Sequence, residues 1–123
     1  MQKLNGYVVV TLDKDSQDAV AALAVHSRVY SHHCTLAFKP DKVDLSKWEE
    51  GSLVELQVIG VASDDKGQAI LVSLPVYCNN ESPHITVSCE GVSPVYSNEL
   101  LKHGELKPCY LNILKGAIEI INF

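Results

Sequence analysis

The chain has 123 residues, 46% of them hydrophobic and 20% charged, which suits one globular domain over residues 1–123 and argues against disorder. Its formal net charge is −5 and it holds a single arginine, Arg28, so it lacks the basic face that a grip on a long nucleic-acid duplex needs. It has no apolar run of about eighteen residues and no leader-like apolar stretch after Met1, so a cytoplasmic monomer without a membrane partner is expected.

The first predicted strand is the near-continuous apolar run Tyr7 to Leu12. Asp13-Lys14-Asp15 turns the chain, Ser16 is a candidate N-cap, and a helix is expected from Gln17 to His26 with Ala19, Val20 and Leu23 on its buried stripe. A second strand runs from His32 to Phe38 and stops at Lys39-Pro40-Asp41, because proline cannot donate to a ladder. Leu45 to Gly51 suggests one short helical turn. Leu53 to Ala62 and Gln68 to Leu74 alternate as strands around the turn cluster Ser63 to Gly67, which makes a hairpin. His84 to Cys89 is a further strand, and Ser97 is expected to cap a helix from Asn98 to His103 that Gly104 stops. Cys109 to Leu114 and Ala117 to Asn122 read as a last hairpin about Lys115-Gly116. The sum is about seven strands and two or three helices in an α+β domain with a largely antiparallel sheet.

Two of these strands carry the same word. His33-Cys34-Thr35-Leu36 and His84-Ile85-Thr86-Val87 each read His, any residue, Thr, aliphatic. Alternate residues of a strand share a face, so His33 projects with Thr35 and His84 with Thr86, while Cys34, Leu36, Ile85 and Val87 turn toward a core. The chain has only three threonines, and two of them fall two places after a histidine. One H-x-T alone is what β-propensity and a structural histidine often produce. A pair, each within its own apolar strand, outweighs coincidence.

Two imidazoles can serve as base and acid on opposite sides of one phosphorus, and threonine hydroxyls can hold phosphate oxygens in line between them. This chemistry needs no metal, and no cofactor is expected. Cys34, Cys78, Cys89 and Cys109 lack zinc-ligand spacing and read as reduced thiols, three of them in strand-like runs. Tyr30, Lys39 and Tyr96 lie close enough in sequence to the motif strands to contact a base or sugar, and each is as well explained as ordinary surface. His32 is placed on the face opposite His33. His26 and His103 fall near helix C-termini and are given no role.

The paired motifs in a small α+β domain resemble the two-histidine (2H) phosphoesterase superfamily. Ser82-Pro83-His84-Ile85-Thr86-Val87, followed by Gly91-Val92-Ser93-Pro94-Val95 and Ser97-Asn98, is similar to the cyclic-phosphodiesterase domain of tRNA ligases. The resemblance implies a two-lobed sheet with the site in a central groove. It implies hydrolysis of 2′,3′-cyclic phosphates or related 2′-5′ and cyclic linkages without metal. It also implies catalytic roles for His33 and His84 and phosphate contacts for Thr35 and Thr86. The motif histidines are close in sequence for such a chain (84 − 33 = 51), so the loops that choose substrate are short. Three readings stay open. One is a phosphodiesterase for RNA ends or small nucleotides. Another is a phage-type enzyme that degrades cyclic oligonucleotide defence signals. The last is a non-catalytic module that holds a nucleotide.

Overall fold

The computed structural model describes residues 6–38, 48–79 and 82–122. Its elements, in chain order, are β1 (Gly6–Leu12), α1 (Lys14–Ala21), β2 (Arg28–Val29), β3 (His33–Phe38), β4 (Leu53–Ser63), β5 (Gly67–Ser73), β6 (His84–Cys89), α2 (Tyr96–His103) and β7 (Ile113–Asn122).

The strands run in the order β2-β6-β3-β1-β7-β4-β5, and a further β5–β6 pairing joins the ends. Six strands therefore close into an antiparallel barrel, and β2 is an extra strand laid against β6. This corrects the expected two-lobed α+β sheet with a central groove. The molecule is mostly sheet, with two short helices among the described residues. Hydrophobic alternation reports which face of a strand is buried but not whether the last strand meets the first. Closure here depends on β6 pairing with β3 on one edge and β5 on the other. Register shifts at Val8/Val9, Val58/Gly60 and Gln68/Ala69 supply local bends of the kind that curl a sheet shut.

Alternation then divides the wall. Val8, Val10, Leu12, Cys34, Leu36, Val54, Leu56, Ile70, Val72, Ile85, Val87, Leu114 and Ile118 point inward and form one buried cluster. Side chains fill the interior of so small a barrel, leaving no channel. Val20 of α1 joins this cluster at one end, and Trp48 joins it at the other, with its indole N–H donating to Tyr77 O at 2.8 Å. α2 lies on the outer wall, where Leu100 and the partly buried Tyr96 and Leu101 pack on Ala62 and Ala69.

Several local expectations change. α1 is capped by Asp13, whose carboxylate accepts from Ser16 N–H at 2.8 Å. Ser16 is buried inside the first turn instead, and its Oγ accepts from Lys115 N–H at 2.9 Å. The expected last hairpin is one ten-residue strand, β7. Gly116 sits within it because β1 passes so close that a Cβ there would collide with Thr11 O. A glycine needed for close approach looks in sequence like a glycine needed for a turn. Of the helical turn expected over Leu45 to Gly51, residues 45–47 lie outside the described residues, and the described part is a turn at Glu50-Gly51 in which Ser52 N–H donates to Glu49 O at 3.0 Å.

Candidate active site

β3 and β6 are neighbours, and Cys34 pairs with Ile85. This pair sets the two motifs side by side, with His33 close enough to His84 for the positive form of His84 to act on it. Cys34, Leu36, Ile85 and Val87 are fully buried inside the barrel, so all four motif side chains emerge on its outer wall, each half-buried. The two imidazoles and two hydroxyls thus share one wall. It lies on the outside of a closed barrel, not in a groove between lobes.

The second motif is anchored on backbone and helix. His84 Nδ1 lies 2.7 Å from Ser82 O. A carbonyl only accepts, so Nδ1 carries the hydrogen, and neutral His84 presents an unprotonated Nε2. Thr86 Oγ1 lies 2.8 Å from the hydroxyl of Ser97 and 3.4 Å from Pro94 O. Ser97 is buried in the first turn of α2, so the helix and its leading loop fix the Thr86 rotamer.

The first motif is anchored differently. His33 Nδ1 lies 3.2 Å from His32 Nδ1, with the two rings nearly perpendicular and their centroids 5.4 Å apart. This corrects the placement of His32 on the opposite face. Ser31 adopts φ 44°, a left-handed conformation rare outside glycine, and breaks the alternation just before β3. The Ser31 N–H donates to Thr86 O at 2.9 Å, which ties the kink to the second motif. Across β1, Thr11 is the register partner of His33, and its hydroxyl donates to Glu119 Oε2 at 2.7 Å. The Tyr7 ring stands 6.1 Å from that of His33.

Both motif imidazoles hold their protons less tightly than a free histidine. For His33, burial is the main cause, the positive forms of His32 and His84 add to it, and the Glu119 carboxylate opposes it. For His84, burial lowers the pKa and the Ser82 carbonyl opposes it. Cys34 stands between His33 and Thr35 in sequence but faces inward. Burial, with a smaller effect from Cys78, pushes its thiol up to about 12, so it is no nucleophile.

The remaining sequence candidates separate. Tyr30 is half-buried beside β6, with its N–H donating to Val87 O at 2.9 Å. The Tyr96 hydroxyl donates to the Asp64 carboxylate on the β4–β5 turn, and its ring lies so close over Gly67 that a Cβ there would meet it. Those contacts commit Tyr96 to docking α2. Lys39 lies outside the described residues. Sequence reasoning missed Ser82, Ser97 and Glu119 as neighbours of the motif. Ser97 was legible as a helix cap and, with Ser82, within the stretch that carries the family resemblance, but neither as a motif partner; Glu119 gave no signal.

A comparison with protein families matches residues 9–110 to the fungal tRNA ligase phosphodiesterase domain. The chain belongs to that family. The matched span contains both H-x-T strands and most of the barrel. The relation to tRNA ligase cyclic-phosphodiesterase domains that the two motifs suggest therefore holds. Among solved structures, the chain resembles one titled as a fungal RNA kinase, with a TM-score of 0.63 and 18% identity. The match covers all of this chain and 42% of that one, so it speaks to the fold alone. No curated protein matches. Among the described residues, no helix is long and apolar enough to cross a membrane.

Proposed function

We propose that the protein is a phosphodiesterase that opens 2′,3′-cyclic phosphates at RNA ends or in small nucleotides. One observation carries the reading: the two H-x-T strands are direct neighbours and present all four polar side chains on one wall. Membership of the phosphodiesterase-domain family supports it. The net charge of −5 favours an RNA end or a small nucleotide over a long duplex.

His84 suits the base. Its Nδ1 hydrogen is held by a carbonyl, and its lowered pKa keeps Nε2 free to take a proton from water. His33 suits the acid, because Glu119 favours its charged form and an anionic phosphate bound between the two rings would favour it further. Water attacks phosphorus as His84 Nε2 takes its proton. The phosphorus–oxygen bond to one ribose oxygen breaks, and that oxygen takes a proton from His33 Nε2. The product is a phosphomonoester and a free ribose hydroxyl. Thr35 and Thr86 would donate to the non-bridging oxygens; with Ser97 donating to Thr86, the Thr86 hydrogen would turn from its long 3.4 Å bond to Pro94 O toward phosphate.

The test is hydrolysis in EDTA of 2′,3′-cyclic mononucleotides, 2′-5′ dinucleotides and cyclic oligonucleotides by wild type, His33→Ala and His84→Ala. Turnover of a 2′,3′-cyclic substrate that both variants lose is the expected result. Preference for cyclic oligonucleotides would redirect the reading to signal degradation. Tight binding with no turnover would replace it with a nucleotide-holding module.

A further inference from the structure

His32 is exposed, was not expected beside its neighbour, and makes a ring-to-ring contact that the reaction above does not use. We propose that His32 is a positioning residue for His33: the Nδ1–Nδ1 contact holds one proton between the two rings and so governs the protonation of the His33 nitrogen that faces substrate. The proposal rests on His33 being the acid of the phosphodiesterase reading.

Two ring nitrogens 3.2 Å apart leave room for one hydrogen between them. In the neutral pair, either ring can own it. If His33 donates, its Nε2 is bare; if His32 donates, His33 carries Nε2–H. With one added proton, both rings carry Nε2–H and the Nδ1 hydrogen remains shared. That state is an imidazolium supported by a neutral imidazole acceptor, which is what an acid needs. When His33 Nε2 gives its proton to the leaving oxygen, the Nδ1 hydrogen stays in the contact and the pair ends neutral. A second added proton would put a hydrogen on each facing nitrogen and break the contact.

The surroundings fit this use. His33 is faced by Thr11 and Tyr7 on β1, Glu119 on β7, and His84 on β6. Among these, only Glu119 favours a positive His33, and it already accepts from Thr11. His84 leans on a carbonyl, which fixes a tautomer once and for all. His32 fixes a tautomer that can exchange. Its own charge lowers the pKa of His33, as coupled sites require. The kink at Ser31 is what brings His32 round to His33, so an uncommon backbone conformation accompanies the contact.

The test uses the full chain with 15N-labelled histidines, titrated by NMR without substrate. His32→Phe keeps a ring and removes both nitrogens; His32→Asn keeps a side-chain acceptor that cannot titrate. In wild type, the His33 titration should depart from a single step because of the Nδ1–Nδ1 contact. In His32→Phe, His33 should titrate in one step, with its neutral form moved toward Nε2–H. In His32→Asn, His33 should titrate in one step and keep Nδ1–H. His84 should not change in either variant. Against the best 2′,3′-cyclic substrate, His32→Phe should lower kcat about 10- to 100-fold, the scale on which partners that orient functional histidines at metal sites act, with KM little changed and the acidic limb of the pH profile moved. His32→Asn should recover part of kcat. An identical His33 titration in wild type and His32→Phe overturns the proposal, as does an unmoved pH profile. If the titrations change as expected but wild type hydrolyses nothing, the shared proton stands and the phosphodiesterase reading falls.

Discussion

β3 and β6 carry the same four-residue word and support it in opposite ways. On β6, the motif side chains, among the described residues, bond to groups that do not titrate: Ser82 O for His84, and Ser97 Oγ and Pro94 O for Thr86. On β3, His33 leans on another titratable ring and lies near a carboxylate. Equal motifs therefore need not make equal residues. On the reading proposed above, one strand offers a fixed acceptor of protons, and the other a proton whose position can be exchanged. In sequence the asymmetry shows only as an extra histidine before one motif.

The comparison is broken most severely by removing an imidazole. His84→Gln and His33→Gln are each expected to lower kcat by about 10²- to 10⁴-fold, the usual yield of one general acid or base. The double variant should fall well short of the product of the two, because residues acting as a unit are non-additive. Single- and double-variant kinetics on a 2′,3′-cyclic substrate check this. Fully multiplicative losses would mean that the two histidines act independently.

The inward residues between the motif positions give the next effect. Ile85→Ala empties a fully buried site at the β3–β6 seam and should cost about 2–5 kcal/mol in urea unfolding. Cys34→Ala, its register partner, removes one sulfur and should cost clearly less. Equal costs would show that the seam is not packed as described. Ser97→Ala is gentler, at about 1 kcal/mol for one hydrogen bond, and should raise KM through a looser Thr86. Thr35, which lies on β3, should be insensitive to that substitution.

The strands, the inward set and the polar pairs were legible because each rests on period-two alternation, a property of every residue in the strand. Cys34, Leu36, Ile85 and Val87 are core for that reason. Closure was not legible, because it depends on which edges meet and on three register shifts, of which only the one at Gly60 falls on a residue that marks bulges in sequence. β7 was read as a hairpin because Lys115-Gly116 resembles a turn, whereas Gly116 answers to the Thr11 backbone more than a hundred residues away in sequence. His32 was misplaced because alternation assumes extended backbone, and Ser31 at φ 44° is not extended.

The smallest effect is on stability, and it asks whether the two histidines share one environment despite their different supports. Both have folded-state pKa values below the ordinary 6.5, chiefly through burial. The unfolded chain then binds more protons than the native one on the acid side, so stability rises with pH. Their contribution is complete above about pH 6.5 and is lost as pH falls from there through the lowered folded values. Asp13 and Asp64, whose carboxylates accept backbone hydrogen bonds, sit below their ordinary 3.8, so their stabilisation fails only in a more acidic window. Urea midpoints at pH 8, 6.5 and 5 therefore isolate the histidines. Wild type should lose stability over that range, and His33→Gln and His84→Gln should each flatten part of the slope. If only one variant flattens it, burial acts on one ring alone, and the asymmetry between the strands extends from their hydrogen bonds to their solvation.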